Sequence, residues 1–133
     1  KATVKPVQID GLSSVRCPKP NAPLFEKRQF DTLARELDGA IGEALEAFHQ
    51  ELRERLDRLD AIELDTERTT IAREAHTIKG SAATFGFSRC AEIARWLEKN
   101  AKQVDAREYR RICDLLRRAY AEAAADARIS EAA

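Results

Sequence analysis

Proline stops at Pro23. The four prolines are Pro6, Pro18, Pro20 and Pro23, and the stretch from Leu24 to Ala133 contains none. A proline in a helix interior costs about 3 kcal/mol, so this stretch is open to helix along its whole length. The Val/Ile/Thr-rich runs of period two that mark strands are missing from it, and apolar residues recur at helical spacing instead. Phe30, Leu33, Ala34 and Leu37 share a face and give a short first helix, ended by Asp38-Gly39. Ile41, Leu45, Phe48, Leu52, Leu56 and Leu59 give a long second helix. Asp65 or Thr66 can cap a third, with Glu67 favourable in its first turn. Its inward face reads Ile71, Ala75, Ile78 and Ala82, and Gly86 suits its stop. Ser88 can cap a fourth, facing inward with Cys90, Ile93, Ala94 and Leu97. Asp105 and Glu108 form a capping-box-like start for a fifth, whose face is Tyr109, Ile112, Cys113, Leu116 and Tyr120. The Ala-rich tail beyond about Ala125 is expected to fray. The expected fold is all-α: an antiparallel four-helix bundle with a short additional N-terminal helix as a lid. Residues 24–133 form the bundle. Residues 1–23 read as a flexible, Pro-broken linker, with a short amphipathic stretch from Val7 to Leu12. A coiled coil is disfavoured because the apolar faces drift and loops interrupt them.

Composition narrows the function. Twenty-three basic residues balance 23 acidic ones, so bulk charge supports neither a nucleic-acid nor an anionic-membrane role. No run of about 18 apolar residues could span a bilayer, and no signal-peptide pattern is present. Aromatic residues are 6%, too few for a base-stacking platform. The three cysteines, Cys17, Cys90 and Cys113, form no CxxC pair. Cys90 and Cys113 fall on apolar helix phases and read as small core residues, which suits a reducing cytoplasm. The chain starts at Lys1 and contains no methionine, as expected of a piece of a larger protein. No Walker A loop, GxGxxG, HExxH or GxSxG occurs. Glu46 and His49 match ExxH once, but a di-iron bundle needs a second copy, and Arg73 stands three residues before His76. No metal site is expected. His49 is expected to be a partly exposed helix histidine beside Phe48.

His76 is placed differently. On the third helix, Ala72, Arg73, His76, Lys79, Gly80 and Ala83 share one face. That face is about one position out of phase with the core set, so His76 points outward. Gly80, Ala72 and Ala83 clear the strip around the imidazole, while Lys79 and Arg73 add positive charge. An exposed imidazole in a cleared, cationic setting suits a nucleophile for a group that arrives already activated. Lys79 could hold phosphoryl oxygens by charge-assisted hydrogen bonding. On spacing alone, a surface histidine in a helix that carries glycine for close packing fits as well.

The stretch AHTIKGSAATFGFSRCAEIARWLE resembles the motif of histidine phosphotransfer (HPt) domains. The matching residues are His76, Ile78, Lys79, Gly80, Ser81, Ala82, Phe85 and Gly86, followed by Leu97-Glu98. With the helix pattern, the resemblance covers about Phe25 to Ala125. It implies a bundle in which His76 accepts a phosphoryl group from a receiver-domain aspartate and passes it to another receiver, reversibly and usually through Nε2. It implies that Lys79 stabilises the phosphoryl oxygens and that Gly80 gives the partner access. The partner face is expected to include Ala72, Arg73, Ala83, Phe87 and Arg89. The domain itself needs no cofactor, because the receiver brings the Mg²⁺ in this family. Cys90 stands where leucine is common, a conservative core change.

The resemblance suits a phosphorelay module of a hybrid sensor kinase, with receiver domains as partners and further kinase or receiver domains upstream in the same protein. It also suits the phosphoacceptor domain of a chemotaxis-type kinase, phosphorylated from ATP by a separate kinase domain. GSAATFGF leans toward that branch and the leader leans away from it. A third reading, a non-transferring HPt-like binding module, is opposed by the intact His76, Lys79 and Gly80. Autonomous ATP-dependent kinase activity is not expected, since no nucleotide-binding motif is present. The expected location is the cytoplasm, with a parent protein that can be membrane-anchored.

Overall fold

The computed structural model describes residues 16–132, with side chains to Arg128. Val7–Leu12 and the rest of residues 1–15 lie outside the described residues. Five helices follow in order: α1 Lys27–Leu37, α2 Ile41–Ala61, α3 Arg68–Thr84, α4 Ser88–Asn100 and α5 Ala106–Ala132. No strand occurs among the described residues, and none of the helices is long and apolar enough to cross a membrane. The protein is an all-helical bundle. Contacts run from α2 to α3, α3 to α4, α4 to α5 and α5 back to α2, while α1 touches α2, α3 and α5.

The inward faces are those the spacing predicts. Ile71, Ala75, Ile78 and Ala82 of α3 are fully buried against Cys90, Ile93, Ala94 and Leu97 of α4. Leu45, Leu52, Leu56 and Leu59 of α2 and Ile112, Cys113 and Leu116 of α5 complete the core. Cys90 and Cys113 are buried free thiols, and burial pushes the Cys90 thiol up to about 12. α1 closes one end with Phe30, which packs into an aromatic cluster of Phe25, Phe87, Phe48 and Phe85.

Helix ends are where the structure departs from the sequence reading. Asp38 does end α1, in the left-handed conformation at φ 47°, with its N–H on the carbonyls of Ala34 and Arg35. Neither Asp65 nor Thr66 caps α3: Glu67 holds the N-cap place without a side-chain bond, and the Asp65 carboxylate pairs with Arg68 at 3.4 Å instead. Ser88 does not cap α4 either. Buried Phe87 takes the N-cap place, and the Ser88 hydroxyl bonds the Glu26 carboxylate. At α5 the Asp105 carboxylate accepts the Glu108 N–H at 2.7 Å, as a capping box requires. The reciprocal bond is absent, because Glu108 is drawn off to the Cys17 N–H at 2.8 Å and to Arg111 at 3.0 Å. The helical backbone of α5 continues to Ala132 across the tail expected to fray, since Ala123, Ala124 and Ala127 are buried.

His49 is not the partly exposed residue expected. It is buried, with its Nδ1 2.6 Å from the Tyr120 hydroxyl. The spacing put it beside the core stripe of α2, and the hydroxyl of α5 makes burial of a polar ring acceptable there.

Residues 16–23, expected within the linker, lie along α4 and α5. Cys17 is buried. The Glu92 carboxylate accepts the N–H of Asn21 at 3.0 Å and of Ala22 at 2.8 Å. Arg89 donates to the Ala22 carbonyl at 2.9 Å.

Candidate functional site

The outward strip of α3 carries the site. His76 presents 66% of its side chain to solvent. Its Nδ1 lies 2.8 Å from one carboxylate oxygen of Glu98 on α4, and the other oxygen accepts from the Lys79 ammonium at 2.8 Å. One carboxylate therefore bridges the imidazole and the cation. The hydrogen bond from Lys79, and after it that from His76, holds the Glu98 carboxyl below its ordinary value.

That bridge fixes the chemistry of the ring. An ionised carboxylate can only accept, so Nδ1 must donate, and the neutral imidazole carries its proton there. The lone pair is then on Nε2, on the far side of the ring from Glu98. A histidine held this way through one nitrogen by a carboxylate has its tautomer and orientation set, as ligating histidines do.

Gly80 is exposed one turn beyond His76. A Cβ built there meets nothing within 4 Å. Close helix packing therefore does not explain this glycine, although it costs the helix about 1 kcal/mol. The space belongs to the exterior. Gly86 is the opposite case: it adopts φ +83°, and a Cβ would lie 2.7 Å from the Glu26 carbonyl.

Of the other residues expected on the partner face, Arg73 and Ala83 are exposed and Ala72 is half-buried on the same strip. Phe87 is fully buried, edge-on to Phe25 and Phe48, and so leaves the partner face. Its position after the α3–α4 turn suggested the surface, but the N-cap place points it into the core. Arg89 is turned toward the leader at Ala22. The sequence reading gave Glu98 no role beyond its place in the motif. Its signal is its distance: 22 residues from His76, it meets the histidine only because α3 and α4 pack face to face. Among the described residues, no group of three or more His, Cys, Asp or Glu side chains could hold a metal ion.

The sequence model of the Hpt domain matches residues 43–126, from the first turn of α2 into α5. The chain belongs to the Hpt domain family. The match contains His76, Lys79, Gly80 and Glu98, and it leaves the leader and α1 outside. No curated protein and no solved structure matches this chain significantly. Membership implies histidine phosphotransfer in two-component signalling, where Hpt domains interact with receiver domains.

Proposed function

We propose that His76 accepts a phosphoryl group from a receiver aspartate and relays it to a second receiver, in the cytoplasm, from the face of an antiparallel four-helix bundle with α1 as its lid. The observation that carries this reading is the exposed imidazole of His76, oriented by Glu98 beside the empty space over Gly80. The Nε2 lone pair attacks phosphorus, the P–O bond to the aspartate breaks, and the carboxylate leaves. The ring keeps its Nδ1 proton and becomes positive, and the Glu98 carboxylate beside Nδ1 offsets that charge. Lys79 offsets the charge of the phosphoryl oxygens. Its pair with Glu98 is on a partly exposed surface, where such pairs are worth about 0–1 kcal/mol, so the ammonium is cheap to redirect. Positioning and charge neutralisation do most of the work in phosphoryl transfer. The receiver supplies Mg²⁺.

Incubation with a phosphorylated receiver and Mg²⁺ tests this. Acid-labile, base-stable label on the Hpt domain is the expected result; no label from any receiver overturns the reading. Label arriving only from a chemotaxis-type kinase core with ATP would move the donor, not the acceptor.

Glu98→Gln removes the bridging charge. Transfer is expected to slow about fivefold, the rate equivalent of about 1 kcal/mol, in a single-turnover assay. The depressed Glu98 carboxyl also sets a pH window. A carboxylate that titrates below its ordinary range keeps its partners through neutral and mildly acidic pH and releases them only as pH falls through that lowered value. Gly80→Gln separates stability from access: denaturation stability is expected to rise by about 0.5 kcal/mol, while transfer from a receiver falls about tenfold or more, since a side chain fills the space a partner needs. A variant as active as the parent would show that the space over Gly80 is not used in docking.

A further inference from the structure

The leader and Lys79 line one depression. Beside Lys79 of α3 lies an open depression lined by Ser88, Ala91, Glu92 and Arg95 of α4 and by Ala22 of the leader. Lys79 is bonded to Glu98, and Glu98 to His76, so the depression is connected to the acceptor histidine through the bridging carboxylate. Glu92 holds Ala22 there by accepting two consecutive backbone N–H groups, those of Asn21 and Ala22. Arg89 fixes the Ala22 carbonyl from the same helix. Pro18, Pro20 and Pro23 flank these residues. Their fixed φ reduces the freedom the segment would lose on being held.

The bonds are placed for position more than for stability. Those to Asn21 are exposed, and exposed hydrogen bonds of this kind add little net free energy. What they achieve is a fixed edge beside Lys79, on a face that His76 leaves open. A receiver that brings its aspartyl phosphate to His76 must cover Lys79, and the depression next to Lys79 is bounded by the leader.

We propose that residues 19–23 form one wall of the receiver-docking surface, with Glu92 as the positioning residue that keeps the wall in place. This rests on the phosphotransfer reading above. The leader then takes part in choosing which receiver docks, while the chemistry stays with His76, Lys79 and Glu98.

The test uses the whole chain and a phosphorylated receiver that labels it. Half-saturating receiver concentration and the rate at saturation are measured for the parent, Glu92→Ala and Ala22→Trp. Both variants are expected to raise the half-saturating concentration about fivefold or more and to leave the saturating rate within about twofold. Carbethoxylation of His76 by diethyl pyrocarbonate, followed by mass spectrometry, is expected to proceed at the parent's rate, which shows the site itself intact. Ala22→Trp changes the wall without cutting the Glu92 bonds, so it decides the matter if Glu92→Ala folds poorly. Unchanged half-saturation in Ala22→Trp while the parent transfers normally overturns this proposal and leaves the phosphotransfer reading standing. No transfer by the parent overturns both.

Discussion

His76→Gln is expected to take up no phosphoryl label from a receiver that labels the parent protein. The amide nitrogen of glutamine has no free lone pair to attack phosphorus, so the loss is complete rather than graded. The fold should be indifferent to the change. His76 is mostly exposed, its side chain serves no core contact, and surface substitutions usually stay within about 0.5 kcal/mol. Urea denaturation of the variant should therefore overlay that of the parent while the label disappears. His49 cannot take over: it is buried, with its ring against Tyr120. Label that persists in His76→Gln, with the stability unchanged, would sink the assignment of the acceptor.

The largest loss of stability should come from Gly86→Ala. Gly86 sits at φ +83°, and its added methyl would lie 2.7 Å from the Glu26 carbonyl oxygen. A non-glycine residue in the left-handed region costs about 1 kcal/mol by itself. The clash is with backbone, which cannot swing aside as a flexible side chain can. Relieving it must move the α3–α4 turn away from the segment before α1, where the Glu26 N–H bonds the Gly86 carbonyl at 2.7 Å. The combined expectation is about 3 kcal/mol and a midpoint lower by about 10 °C in thermal unfolding. A midpoint within about 2 °C of the parent would show that the turn relaxes freely. Transfer measured well below the midpoint should be little affected, because His76 lies in the middle of α3 and Glu98 near the far end of α4, both away from the turn.

The sequence made the helices and their inward faces legible because burial imposes a period that a single chain displays openly. Ile71, Ala75, Ile78 and Ala82 could be read as a face without knowing what they pack against. The same phase argument placed His76 and Gly80 outward. Features that depend on a second element were not legible. Glu98 touches His76 only through the pairing of α3 with α4, and His49 is buried only because Tyr120 of α5 reaches it. Caps failed where a tertiary claim outbid the local one: Phe87 was pulled inward at the start of α4, and Glu108 left its own helix for the Cys17 N–H. Polar, Pro-rich composition suggested a free leader. It carries no sign that Glu92 accepts the N–H groups of Asn21 and Ala22, and Glu108 that of Cys17, across 70 to 91 residues of chain.

The carboxylate between His76 and Lys79 has a further consequence for the energy the domain stores. Before transfer it steadies the acceptor. In the proposed transfer it offsets the charge gained by the ring but faces the phosphoryl group as a like charge, and Lys79 has two anions to serve instead of one. On the proposed reading these effects oppose each other, and the phosphorylated state gains no deep well of its own. A relay depends on that shallowness: a carrier that gripped its phosphoryl group as tightly as an enzyme grips a product would end the signal where it was meant to pass through.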